Sequence, residues 1–291
     1  MAQKSNSKNK VSLARGRPPG SHGGVHKSIS AKVTRTLIRS YHRLHKALAD
    51  AEKSGDRQRV ESLREQIELQ GGLEKYQQAS LQGQAIDRGG DSSKLLLDWV
   101  NPLLADKKTR LRLLEVGALS TSNACSRSSL FSVTRIDLNS QAKGIQQQDF
   151  MERPLPTSNE EKFDMLSLSL VVNYVPDPTG RGEMLRRTCK FLNVDNQLQH
   201  GETGVRQVTP SLFLVLPAPC IFNSRYMDET RLIEIMESLG YHMDERKLTA
   251  KLIYYLWSYN PTRPGRNLHA KFPKKEVNPG AKRNNFSIVL E

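Results

Sequence analysis

Cysteine is scarce in this chain. Cys125, Cys189 and Cys220 lie far apart with no CxxC pair among them, which excludes the usual spacing of a structural zinc site and gives no disulfide framework. Three isolated thiols read as ordinary semi-buried cysteines of a reducing compartment. Long apolar runs are also missing. LSLSLVV and LFLVLPAP are the longest, well short of the roughly 18–20 residues that cross a bilayer. The opening MAQKSNSKNK has no apolar stretch of the kind a secretory signal carries. No G-x-G-x-x-G occurs, so a glycine-rich cradle laying a pyrophosphate on a helix N-terminus is not expected. Acidic residues are absent from positions 1–46, which hold eleven Lys and Arg.

The charge that is present sits at the ends. The net charge is +14; residues 71–260 carry 22 basic and 22 acidic side chains, and residues 261–291 carry seven basic and two acidic. Lys and Arg displace condensed counterions from phosphates, so a basic terminal arm suits a nucleic-acid anchor, and equally a nuclear or nucleolar address. Both readings stay open. Within residues 1–28, a Ser-, Asn-, Lys- and Gly-rich stretch read as a disordered basic tail, the run Arg15 to Pro18 (RGRP) resembles the AT-hook, an extended arm that lays arginines in a narrow minor groove.

Residues 29–94 read as a helical hairpin and an ordered connector. Val33, Leu37, Tyr41, Leu44 and Leu48 recur at spacings of three and four, and Val60, Leu63 and Ile67 mark a second helix ending at Gly71-Gly72. His42 and His45 are expected to be exposed polar residues of the first helix. LLLDWVNPLL (95–104) reads as a short helix stopped at Pro102.

From residue 111 the rhythm changes to alternating strands and helices. Strand-length apolar runs occur at 111–117, 133–139, 145–150, 163–175, 211–219, 251–259 and 284–290, with helical spacing at 180–192 and 228–240. Continuous apolar strands between amphipathic helices mean an α/β domain over residues 95–291, a buried, mostly parallel sheet covered on both faces. The last two runs, with no helix between them, are expected to close the sheet as an antiparallel hairpin.

In such a sheet ligands bind beyond the C-terminal ends of the strands, where strand order reverses. The first strand ends in Glu115-Val116-Gly117 and the second in Asp137, twenty residues later. Gly117 has no Cβ, so backbone can pass close to a ligand; Asp137 can accept both hydroxyls of a ribose. Asp149 ends the third strand and can accept from an adenine amino group, with Phe150 packing on the ring. The spacing alone fits NAD or S-adenosylmethionine. With no phosphate cradle, and with a terminal hairpin, S-adenosylmethionine fits better, in a seven-stranded Rossmann-like class I methyltransferase fold carrying an N-terminal helical extension. The polar stretch after Gly117, STSN, is expected near the methionine end.

The stretches LLEVGALSTSN, RIDLNSQAKGIQQQDFMERPLP, FDMLSLSLVVNYVPDPTGRGEMLRRTCKFL and LFLVLPAPCIFNSRY, with the connector GGLEKYQ…RGGDSSK and KLIYYLW, resemble the family of fungal adenine-N1 methyltransferases of large-subunit (25S) ribosomal RNA, over roughly residues 55–290. The resemblance implies a nucleolar enzyme that moves a methyl group from S-adenosylmethionine to N1 of one adenosine during ribosome assembly, with large-subunit rRNA or a pre-ribosomal particle as partner and no membrane or metal. By position it implies Gly117 and Asp137 as cofactor residues, then Asp149, Phe150 and Ser169. Animal relatives of that family are described as S-adenosylmethionine sensors of a nutrient-signalling pathway, so a non-catalytic sensor bound to a protein partner stands as the alternative.

Enzymes that methylate an exocyclic amine often place an Asn/Asp-Pro-Pro-aromatic loop after the fourth strand. Here that position reads Asn173-Tyr174-Val175-Pro176. Asn173 is expected to hydrogen-bond the adenine edge and Tyr174 to stack on its face; the altered prolines suit a ring nitrogen. Arg225, past the fifth strand, is expected either to meet an RNA phosphate or to cap a helix.

Overall fold

The structure, a computed structural model, describes residues 31–72, 91–104, 110–140, 142–194, 209–267 and 269–291. The tail expected over residues 1–28, with its RGRP run, and most of the connector up to residue 94 lie outside the described residues.

Helices α1 (Ala31–Ser54) and α2 (Arg57–Leu69) form the hairpin expected from their periodicity. The Asp56 carboxylate accepts the Arg59 N–H at 3.0 Å and caps α2. Leu44 and Ala51 meet Leu63 and Ile67 in a small core of their own. His45 departs from the expectation of exposure. It is half-buried with its ring 4.2 Å from that of Tyr41, and burial pulls its pKa down. The side chain of His42 lies outside the described residues.

Helix α3 (Ser93–Leu104) runs two residues past Pro102. A proline in the last turn removes one N–H and one hydrogen bond but leaves little helix beyond it to kink. The sheet follows: β1 (Leu111–Val116), β2 (Phe131–Asp137) after the short α4 (Ala124–Arg127), the two-residue β3 (Gln146–Gln147), and β4 (Met165–Ser169). Then come α5 (Pro178–Phe191), β5 (Ser211–Pro217), α6 (Ala218–Phe222), α7 (Glu229–Leu239), β6 (Tyr241–Leu248) and β7 (Leu252–Tyr259). The strand order is β3-β2-β1-β4-β5-β7-β6. The first five are parallel; β7 runs antiparallel to both β5 and β6.

Strand periodicity of two sorts the core into two layers. Leu114, Leu166, Leu168, Leu212, Leu214 and Trp257 face α5 and α7, while Leu113, Met165, Phe213, Val215 and Leu256 face α3 and α4. Gly240 closes α7 as the sequence indicates, its N–H reaching the Met236 and Glu237 carbonyls.

The sheet has seven strands, but not the seven expected. The closing hairpin pairs β6 with β7. Residues 284–290 are not a strand of the sheet; they hold only isolated bridges, Asn284 to Ser224 and Leu290 to Phe272. Phe286, Ile288 and Leu290 are nonetheless buried, in the layer that contains α5 and α7. The Val289 N–H donates to the Pro178 carbonyl at 3.0 Å, and the Val289 carbonyl presses so close to Gly182 that no Cβ fits there. Strand β6, YHMDERKL, is polar and largely exposed because it is the sheet edge, so it lacks the apolar run that marks a buried strand.

Candidate active site

The parallel register builds the site. Val116 pairs with Ile136 on one side and Leu168 on the other, and Asp137 pairs with Gln147. The next residues of β1, β2 and β4 therefore form one row at the C-terminal edge: Asp137, Gly117 and Ser169. This is also where strand order reverses, since β2 and β3 lie on one side of β1 and β4 and β5 on the other. Asp149 stands two residues beyond β3 on the same edge.

Gly117 must be glycine for two reasons. Its φ is +73°, and a Cβ there would lie 2.7 Å from Cγ2 of Val171. Its N–H and that of Ala118 both donate to the Ile136 carbonyl, at 2.9 and 3.1 Å, so the turn is pinned to β2. Val171 follows Leu170, a non-glycine residue at φ 59° whose N–H is held by the Val215 carbonyl at 3.0 Å. Such a conformation costs of order 1–3 kcal/mol and persists only where its surroundings over-determine it. The loops after β1 and β4 thus meet backbone against side chain.

Asp137 accepts the Asn139 N–H at 2.8 Å through Oδ1, which holds its carboxylate at the start of the β2 loop. Leu138 beside it is 61% exposed, an apolar side chain with nothing over it at the rim of the site. Asp149 accepts the Met151 N–H at 2.7 Å through Oδ1. Ser169 shares a 2.8 Å hydrogen bond with Ser92, ahead of α3. Phe150 does not join the row. Its ring is 2% exposed, 5.2 Å from that of Phe191 and under the Arg187 guanidinium, so it faces the core and not an open surface where an adenine would lie.

Two features of the site were not singled out from the sequence. Glu115, in β1, accepts Asn123 Nδ2 at 2.6 Å through Oε1, while its Oε2 is shut off from solvent with no partner. Burial pushes this carboxyl above the usual carboxylate range, opposed by the Asn123 hydrogen bond and by Arg135. Asn123 of the STSN stretch is thus committed twice, to Glu115 and, through Oδ1, to the Ser126 N–H at 2.8 Å. Asp91 is the second: Oδ1 accepts the Ser93 N–H at 3.0 Å and Oδ2 the Ala124 N–H at 2.6 Å, fastening α3 and α4 together behind Gly117. Its sequence signal is an Asp-Ser-Ser capping run ahead of an apolar helix.

Asn173 and Tyr174 lie on a 3₁₀ turn, Val172–Tyr174, four and five residues past the end of β4. The Asn173 Oδ1 is buried and unpartnered. Behind them Arg181 grips the loop: it donates to the Val175 carbonyl at 2.8 Å, the Pro176 carbonyl at 3.3 Å and the Ser287 carbonyl at 2.8 Å, with its guanidinium 4.6 Å above the Phe286 ring. Burial pulls the Arg181 pKa down to about 10. Asp177 meets Lys53 of α1 at 3.0 Å, so the hairpin also touches this loop. Arg225 caps no helix. Its guanidinium donates to the Gly280 carbonyl at 3.1 Å.

Among the described residues, no helix is long and apolar enough to cross a membrane and no group of three or more His, Cys, Asp or Glu is arranged to hold a metal. A hollow of about 810 Å³ lies on the α1–α2 hairpin among Glu52, Arg57, Arg64 and Glu68 and contains none of the site residues.

A sheet of order 3-2-1-4-5-7-6 with an antiparallel β7, a bare glycine after β1 and an acid after β2 define a class I S-adenosylmethionine-dependent methyltransferase fold. The residues fit that cofactor. Gly117 puts bare backbone, with no side chain of its own, at the turn that closes β1, Glu115 Oε2 is a buried acceptor suited to an ammonium, and Asp137 and Leu138 offer a carboxylate and an apolar face for a nucleoside. The chain belongs to the family described as 25S rRNA (adenine(2142)-N(1))-methyltransferase, Bmt2, whose model matches residues 61–288. A 25S rRNA adenine-N(1) methyltransferase of Schizosaccharomyces pombe is 42% identical over 261 residues, 87% of this chain and 89% of that protein. A 25S rRNA (adenine(2142)-N(1))-methyltransferase of Saccharomyces cerevisiae is 40% identical over 226 residues, 77% of this chain and 62% of that protein. Among solved structures, the 16S rRNA methylase RmtB aligns with 78% of this chain and 98% of its own at 11% identity and a TM-score of 0.43.

Proposed function

We propose that this chain methylates N1 of an adenosine in large-subunit ribosomal RNA, as its family's description states, and that it works in the nucleus, at the nucleolus, where that RNA is assembled. The observation that carries the reading is the row Asp137–Gly117–Ser169, with Gly117 kept bare by Val171. Bound S-adenosylmethionine supplies an electrophilic methyl group. Asp137 would hold the ribose hydroxyls, Leu138 and Asp149 the adenine, and Glu115 with Asn123 beside it the amino group of the methionine end.

N1 of adenine holds its lone pair in the ring plane and is unprotonated at neutral pH, so no general base is needed to make the nucleophile. The protein's task is orientation. Asn173 Oδ1 is closed to solvent and has no donor in the free protein; turned outward on the Val172–Tyr174 turn, it would accept from the exocyclic amine beside N1. Held there, the target base presents N1 to the row. Tyr174, next on the same turn, supplies a stacking face. Arg181 touches no reacting atom in this scheme; it positions the turn by holding the Val175 and Pro176 carbonyls. Taking a base out of a stack costs a few kcal/mol, least at a loop or an unfolded stage of assembly.

The test is transfer of a labelled methyl group to unmethylated large-subunit rRNA, followed by nucleoside analysis. 1-Methyladenosine is expected with the unmutated chain, and a drop of about 100-fold or more in transfer with Asn173→Ala at saturating RNA. Cofactor binding with no methylated nucleoside, on naked RNA or on pre-ribosomal particles, overturns the reading.

A further inference from the structure

The excess positive charge of residues 261–291 is not spread over the surface. Residues 272–284 wrap around the loop that follows α6: the Val277 and Asn278 N–H groups donate to the Arg225 carbonyl at 2.9 and 3.1 Å, the Arg225 N–H to the Asn284 carbonyl at 2.9 Å, and the Asn284 N–H to the Asn223 carbonyl at 2.9 Å. Asn278 Nδ2 adds a bond to the Ser224 carbonyl at 3.2 Å. This buries the backbone and leaves the basic side chains outward. Lys271, Lys274, Lys275 and Lys282 are exposed, and Arg225 and Arg283 half-exposed, against a single exposed acid, Glu276, in the wrap. At its centre the half-exposed Tyr226 carries the Lys274 ammonium 4.3 Å from its ring centroid and the Arg225 guanidinium at 5.9 Å. The loop follows β5 through α6, so the wrap stands on the same edge of the sheet as the Asp137–Gly117–Ser169 row.

We infer that this ledge, built by the 272–284 wrap on the Asn223–Met227 loop, is the surface that takes the backbone phosphates of the RNA flanking the target adenosine. The chemistry is that of phosphate recognition. Several Lys and Arg, two of them held in place by an aromatic ring, face outward and outnumber the carboxylates beside them, Glu276 within the wrap and Asp177 and Glu291 in the hollow they share with Lys271 and Lys274. Ordering two cations on Tyr226 before RNA arrives lowers the entropy lost on contact. The inference rests on the RNA-methylating reading and adds where that RNA lies.

The experiment uses the full chain and a labelled unmethylated large-subunit rRNA transcript, with binding measured across a salt series. The variant Lys274→Gln/Lys275→Gln/Lys282→Gln removes three exposed charges and touches neither core nor cofactor row. Three lost phosphate contacts should lower the slope of log affinity against log salt by about 2 and weaken binding by roughly 10–100-fold at 0.1 M salt. Affinity for S-adenosylhomocysteine and the melting temperature should stay unchanged, and the triple Lys→Arg variant should restore the slope. An unchanged slope overturns the ledge, as does loss of binding to polyglutamate with RNA binding intact, which would assign the surface to an acidic protein. A ledge-dependent slope in an unmutated chain that transfers no methyl group upholds the ledge and overturns the catalytic reading alone.

Discussion

Gly117→Ala tests the site at its tightest point. Alanine at a φ of +73° is strained by about 1–2 kcal/mol. The added Cβ would also lie 2.7 Å from Val171 Cγ2, where carbon atoms ordinarily rest at about 3.5–4.0 Å, and overpacking of that size costs about 1–3 kcal/mol. The backbone that carries Val171 has little room to move, because Leu170 before it is held at φ 59° and bonded to Val215. The free protein can shed part of this sum, roughly 2–5 kcal/mol, by shifting the β1 loop away from the ligand's path. Binding then has to restore the original geometry. Whatever is shed appears as lost affinity, at a factor of ten per 1.4 kcal/mol, and whatever is not shed appears as a lower melting temperature. Calorimetric titration with S-adenosylhomocysteine and a thermal melt measure the two shares. A loss of at least about 30-fold in affinity is expected if most of the strain moves into the loop. Adding Val171→Ala removes the overlap and leaves the φ strain, so the double variant should recover to within about 5–30-fold of the unmutated chain. A Gly117→Ala protein with full affinity and an unchanged melt, or a double variant no better than the single, refutes the packing argument.

Glu115→Gln follows from the raised carboxyl. With its folded pKa above the ordinary 4.5, this group's contribution to stability is whole at low pH and is lost as pH rises through the folded value. At pH 8 the Gln variant should therefore melt higher than the unmutated chain without ligand, yet bind S-adenosylmethionine at least tenfold more weakly; equal melts at pH 8 would mean the Oε2 is not the burden the geometry indicates. Arg181→Ala strips the Val175, Pro176 and Ser287 carbonyls of their donor, and should cost roughly 2–4 kcal/mol in denaturant unfolding. At temperatures where it stays folded its kcat should fall while its cofactor affinity holds, and Arg181→Lys should recover only part of the kcat. Burial pushes the Cys125 and Cys220 thiols up to about 12 and Cys189 to about 11, so at pH 7.5 the native protein should resist iodoacetamide that labels all three when unfolded, as mass spectrometry will show.

The sequence by itself determined what depends on local periodicity and on residues with one conformational use. The α1–α2 hairpin, α5, α7 and six of the seven strands follow from the sequence pattern, because a face that must be buried repeats at 3.6 or 2 residues wherever the element lies. The placement of Gly117 and Asp137 at the ends of β1 and β2 is legible for a similar reason: a glycine closing one strand and an acid closing the next, twenty residues on, follow the pattern of the half-unit. Tertiary structure decided the rest. The polar YHMDERKL becomes β6 only because β7 offers it an edge to pair with, while the apolar NNFSIVL is kept out of the sheet and spent on covering α5 over Gly182. Phe150 turns inward because Phe191 waits for it across the chain, and Leu138, equally apolar, is left outside at the rim. Glu115 Oε2 and Asn173 Oδ1 are unremarkable letters in a sequence. Packing from distant segments isolates them, and only that isolation marks them as acceptors waiting for a donor.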